Sequence, residues 1–116
     1  RLFLDTMDTM TVHELKLEDF QAEVVDSPIP VLIDFWAPWC GPCRMLKPVM
    51  ERVAKDYEGR VKVMAANVDE QPGLAGAFGV QGIPMVVLMK GRKPVDAFSG
   101  YQPYEVIKSR LEKALV

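Results

Sequence analysis

Along this chain the spacing of apolar residues switches between a period of two and a period near 3.6, and each switch marks an element boundary. Val12-His13-Glu14-Leu15 reads as a short edge strand. Leu17, Phe20, Val24 and Val25 recur at helical spacing, which predicts a helix over Leu17–Val25 that Ser27-Pro28-Ile29-Pro30 ends. Val31–Trp36 is apolar on both faces apart from Asp34, the pattern of a buried central strand. A long helix over Gly41–Tyr57 follows, with a core face at Met45, Leu46, Val49, Val53 and Tyr57. Pro48 lies inside it, removes an N–H and should bend it, a structural role only.

The second half reads as a strand over Val61–Val68, a short helix over Gly73–Phe78 and a strand over Met85–Met89. Lys90-Gly91-Arg92-Lys93 is a turn, and Pro94–Phe98 is the strand returning from it. The last helix spans Pro103–Leu115, with Val106, Ile107, Leu111 and Leu115 inward. The order β-α-β-α-β-α-β-β-α gives parallel crossovers first and an antiparallel hairpin last. The expected fold class is therefore α/β, a mixed central β-sheet flanked by helices on both faces. Pro94 suits an exposed edge strand.

Composition narrows the function classes. With 116 residues and 49% apolar content, the chain can build one domain with a real core. Fourteen basic against 16 acidic residues give a net charge of −2, with no basic block for nucleic acid. No apolar run approaches the length of about 18 residues that would suggest a membrane span. Residues 1–10 are expected as a weakly ordered extension ahead of a domain over 11–116. Arg1-Leu2-Phe3-Leu4 is too short for a signal peptide.

The chemistry concentrates in Trp39-Cys40-Gly41-Pro42-Cys43-Arg44, which holds both cysteines of the chain. Two residues between the sulfurs let both sit in the first turn of one helix, where they can close into a small ring or open to a dithiol. A strand delivers Cys40 to the helix N-terminus, and unpaired N–H groups and the helix dipole there favour a thiolate. So short a loop adds little stability when closed, so the pair is chemistry or metal rather than scaffold. Zinc wants four ligands, and His13 is the only further soft nitrogen donor, which makes metal the weaker choice. Two buried apolar cysteines are the remaining alternative. Dithiol–disulfide oxidoreduction is the leading reading.

From about Val12 to Leu115 the chain resembles the thioredoxin family. The resemblance rests on Asp34-Phe35-Trp36-Ala37-Pro38-Trp39-Cys40-Gly41-Pro42-Cys43, on Asn67-Val68-Asp69, on Gly82-Ile83-Pro84 and on Gly100. It implies the thioredoxin fold and a protein disulfide reductase that is re-reduced by a flavin-containing thioredoxin reductase using NADPH. Its redox-active disulfide, Cys40–Cys43, would be its only redox group, with no bound cofactor or metal. The resemblance also implies that Cys40 is an exposed nucleophile, that Cys43 resolves the mixed disulfide, and that Asp34 lies beneath as acid/base for Cys43. Pro84 is expected to be cis, with Ile83 offering backbone groups to an extended substrate.

Trp39, Gly41, Pro42, Ile83, Pro84 and Gly100 are the expected substrate-binding residues, joined by Gly82 and Tyr101 in an apolar surface. Trp36 is expected to pack against the active-site helix. Many bacterial relatives carry a lysine beside the aspartate where this chain has Ala65. Asp34 is therefore expected to hold its proton to higher pH, unless Lys62 or another basic group compensates. Protein disulfides and a thioredoxin reductase are the expected partners, with no nucleic acid and no membrane, for a monomer in the cytoplasm. A disulfide isomerase or oxidase domain is the alternative within redox chemistry, and a thioredoxin-like binding module is the alternative outside it. Gly41-Pro42 between the sulfurs argues against the first, and retention of Cys40, Cys43, Asp34 and Pro84 argues against the second.

Overall fold

The computed structural model describes residues 12–116, so the expected extension over 1–10 lies outside the described residues. Five strands form one sheet in the order β1-β3-β2-β4-β5, with β1 His13–Glu14, β2 Val31–Trp36, β3 Lys62–Asn67, β4 Met85–Lys90 and β5 Lys93–Ser99. β3 runs parallel to both β1 and β2, while β4 is antiparallel to β2 and to β5. This is the mixed sheet expected from the element order. Pro94 sits on the edge strand β5, beside a register irregularity at Leu88/Met89. There its missing N–H does not interrupt a central ladder.

Three α-helices follow the pattern: α1 Gly41–Asp56, α2 Pro72–Ala77 and α3 Tyr104–Ala114. Alternation along the strands assigns the two faces. Leu32 of β2, Val63 of β3, and Val86 and Leu88 of β4 pack with Leu46, Met50 and Val53 of α1 and Ile107 and Leu111 of α3. On the opposite face Val31, Ile33 and Phe35 pack with Leu15, Val24 and Leu74. Phe35, Ile33 and Leu46 are wholly buried, each contributing roughly 1.5–3 kcal/mol from the transfer of its apolar surface. Asp34 shares the parity of Leu32, so its side chain faces the α1 side.

Four expectations need correcting. Leu17–Val25 is not one α-helix: a 3₁₀ turn over Leu17–Asp19 leads into a wider π-type turn over Gln21–Val25. Leu17 is exposed, and the segment is anchored by Leu15 and Val24 instead. The core face of α1 runs through Leu46, Met50, Val53 and Ala54, whereas Met45 is exposed. In α3, Val106 is exposed and Tyr104 takes its inward place. The hairpin turn is also tighter than expected: Lys90 pairs with Lys93, leaving Gly91 and Arg92 as the loop, with Gly91 at φ +60°.

Candidate active site

Cys40 is the N-cap of α1 and has an extended backbone, so the helix starts one residue later. Its Sγ accepts the backbone N–H of Cys43 at 3.2 Å. That bond satisfies one of the orphan donors of the first turn and stabilises negative charge on the Cys40 sulfur. Pro42 occupies the first turn, where a missing N–H costs nothing. The two cysteines are joined as a disulfide with Cα atoms 5.2 Å apart. Gly41 is half-buried and Pro42 exposed between them.

The sulfurs face different surroundings. Cys40 Sγ lies 3.8 Å from the carbonyl oxygen of Ile83, and the Ile83–Pro84 peptide bond is cis. Gly100, at φ +84°, donates its N–H to the Pro84 carbonyl at 2.8 Å and so braces this loop from the end of β5. Ile83 is half-buried, Pro84 buried, and Gly82 and Tyr101 exposed. Cys40 is not exposed as expected: in this oxidised form it is 5% exposed and Cys43 3%. The difference between the two sulfurs here is one of neighbours rather than area.

Cys43 borders a cavity of about 500 Å³ that Cys40 does not line. Asp34, Trp36, Glu14, Ala65, Lys47 and Met50 are among its other walls. Asp34 is buried, and its Oδ1 has no hydrogen-bond partner among the described residues. Burial, followed by the charge of Glu14, pushes its carboxyl up to about 7 from an ordinary 3.8. Lys62 does not compensate, because its Nζ pairs with Glu23 at 3.1 Å. Glu14 is itself raised, chiefly by desolvation, although the indole N–H of Trp36 and the charge of Lys47 pull the other way.

Trp36 packs with Ala37, Cys40 and Cys43, and its buried Nε1 points toward the Glu14 carboxylate without closing a full hydrogen bond to any described residue. Trp39 stands out from the surface at 67% exposure. Its ring is held by a bond from Nε1 to Asp69 Oδ2 at 2.9 Å. Arg44 is exposed and donates to the Pro38 carbonyl at 2.8 Å, tying α1 back to the loop before Trp39. Pro48 lies on the exposed side of α1, away from the sulfurs, and the helix continues through it. Sequence reasoning did not identify Asp69, Glu14 or Lys47 as part of this region. Among the described residues, no cluster of His, Cys, Asp and Glu could hold a metal ion.

Comparison with known proteins agrees with this arrangement. The thioredoxin family model matches residues 11–113. Thioredoxin 1 of a Nostoc species is 48% identical over 96 residues, covering 83% of this chain and 90% of that protein. A thioredoxin of the red alga Porphyra purpurea is 40% identical over 104 residues, covering 90% and 97% respectively. Thioredoxin M4 of Arabidopsis thaliana, described as chloroplastic, is 38% identical across the whole of this chain and 62% of its own length. With the Cys40–Cys43 disulfide capping α1 beside a cis proline, these matches show that the chain belongs to the thioredoxin family and is a dithiol–disulfide oxidoreductase working through that pair.

Proposed function

We propose that this protein reduces disulfides in other proteins, with Cys40 as nucleophile, Cys43 as resolving thiol and Asp34 as the base that serves Cys43. The observation carrying this reading is the split environment of the pair: Cys40 beside the Ile83 carbonyl, Cys43 on the cavity that holds Asp34. The Cys40 thiolate attacks one sulfur of a substrate disulfide, and the other substrate sulfur leaves as a thiolate that takes a proton from water. Asp34 accepts the proton of Cys43. The Cys43 thiolate then attacks Cys40 Sγ, the bond from Cys40 to substrate breaks, and the second substrate sulfur departs as a thiolate that takes a proton from water. The substrate gains two electrons and Cys40–Cys43 is left oxidised, to be reduced again by a thioredoxin reductase.

An extended substrate segment would lie along Ile83 with main-chain hydrogen bonds, and Trp39 would give an apolar shoulder. Backbone recognition demands little of the substrate sequence, which suits a reductant of many proteins. Asp34→Asn should slow release of the mixed disulfide by a factor on the order of 10² or more and leave its formation nearly unchanged. Stopped-flow traces in which both steps slow equally would remove Asp34 from the resolving step.

A further inference from the structure

Glu14, Ala65 and Asp34 lie in one row across three strands: Ala65 is the register partner of Glu14 on β1 and of Asp34 on β2. Register partners project from the same face, so the two carboxylates flank a methyl group, with backbones two strand spacings apart, about 9.5 Å. The space above Ala65 belongs to the 500 Å³ cavity. The row continues to Val86 on β4, which brings no charge. From α1 the cavity is lined by Cys43, Arg44, Lys47, Met50 and Glu51, successive turns of one helix face. Glu70 acts on Glu14 from beyond β3.

We propose that Lys47 is a positioning residue for Asp34, supplying from α1 the positive charge that the ionised carboxylate needs and entering the space that Ala65 leaves open. The inference rests on the acid/base role of Asp34 given above. Two carboxylates in one partly desolvated row resist ionising together, so a cation brought within reach would ease the ionisation of Asp34. Arg44 is committed to the Pro38 carbonyl and Lys62 to Glu23. Lys47 makes no hydrogen bond or ion pair with another described residue, and its charge already acts on Glu14. It stands one turn from Cys43, on a flexible four-carbon stem. When Asp34 takes the proton of Cys43, the attraction lapses and Lys47 returns toward solvent, opening the cavity for that proton to leave.

The test is a carbon-13 NMR titration of the Asp34 carboxyl in the oxidised protein, compared with Lys47→Met, Lys47→Arg, and Lys47→Met combined with Ala65→Lys. Lys47→Met keeps the stem and removes the charge, and it should raise the Asp34 midpoint by about half a pH unit or more. Resolution measured at pH 6 should then slow about threefold. Lys47→Arg should keep the wild-type midpoint, and Ala65→Lys should restore it in the Lys47→Met background. A Lys47→Met midpoint equal to wild type overturns the proposal, as does an equal shift in Lys47→Arg. The titration reads the carboxyl without turnover, so it stands apart from the failure of Asp34 as base, which Asp34→Asn kinetics alone would expose.

Discussion

Trp39 and Asp69, 30 residues apart in sequence, are joined by an indole-to-carboxylate hydrogen bond of 2.9 Å. Asp69 is placed for this by its own N–H, which donates to Asn67 Oδ1 at 2.9 Å at the end of β3. The most exposed aromatic ring beside the cysteines is thus fixed in orientation by the neighbouring strand end.

Asp69→Ala should release that ring. The expected result is lower fluorescence anisotropy of Trp39, read in a Trp36→Phe background, with a stability loss of about 0.5–1.5 kcal/mol. The KM for protein disulfides should rise while kcat is kept, because the ring is proposed as a substrate shoulder that takes no part in sulfur exchange. Unchanged anisotropy would show that packing, and not Asp69, holds Trp39.

The carboxyl of Asp34 makes stability depend on pH in a defined direction. Its proton is held up to about 7 in the folded protein and up to an ordinary value of 3.8 when unfolded. Between those values the folded state binds more protons, so stability falls as pH rises through the window and levels off above it. The loss is on the order of 4 kcal/mol. Asp34→Asn carries no such charge, so it should be more stable than wild type at pH 8, with the gap closing toward pH 4. Denaturant midpoints of the oxidised proteins that run parallel across this range would contradict the burial account.

Gly100 is required by its backbone. At φ +84° a side chain is strained, although no neighbour lies within 4 Å of an added Cβ. Gly100→Ala should cost roughly 1–2 kcal/mol. It should also weaken substrate reduction, because Gly100 braces Pro84. Gly59 has the same φ after α1 and the same open space, so Gly59→Ala should cost similar stability and leave activity intact. Equal activity in the two variants would show that the brace is dispensable.

Local patterns carried the strand β2, the helix α1 and the cysteine pair into plain view, because each is written in consecutive residues. Met45 misled for a physical reason. It flanks the inward stripe of α1 on the helical wheel, and periodicity does not say on which flank the sheet stops. The turns over Leu17–Asp19 and Gln21–Val25 were hidden because their apolar spacing is helical while Leu15 and Val24 dictate the packing. Asp34 was legible as a charge in an apolar strand. Its neighbour Glu14 was not, since that link exists only through the register of β1 and β2 on β3. The bond from Trp39 to Asp69 has the same non-local origin.

The central claim is that Cys40–Cys43 delivers electrons to protein disulfides, and its equilibrium redox potential in a defined thiol buffer tests it most directly. Gly41-Pro42 between the sulfurs predicts a value near the roughly −270 mV of thioredoxin. A value near the roughly −180 mV of protein disulfide isomerase, or higher, would contradict a reductant and assign the pair to isomerisation or oxidation.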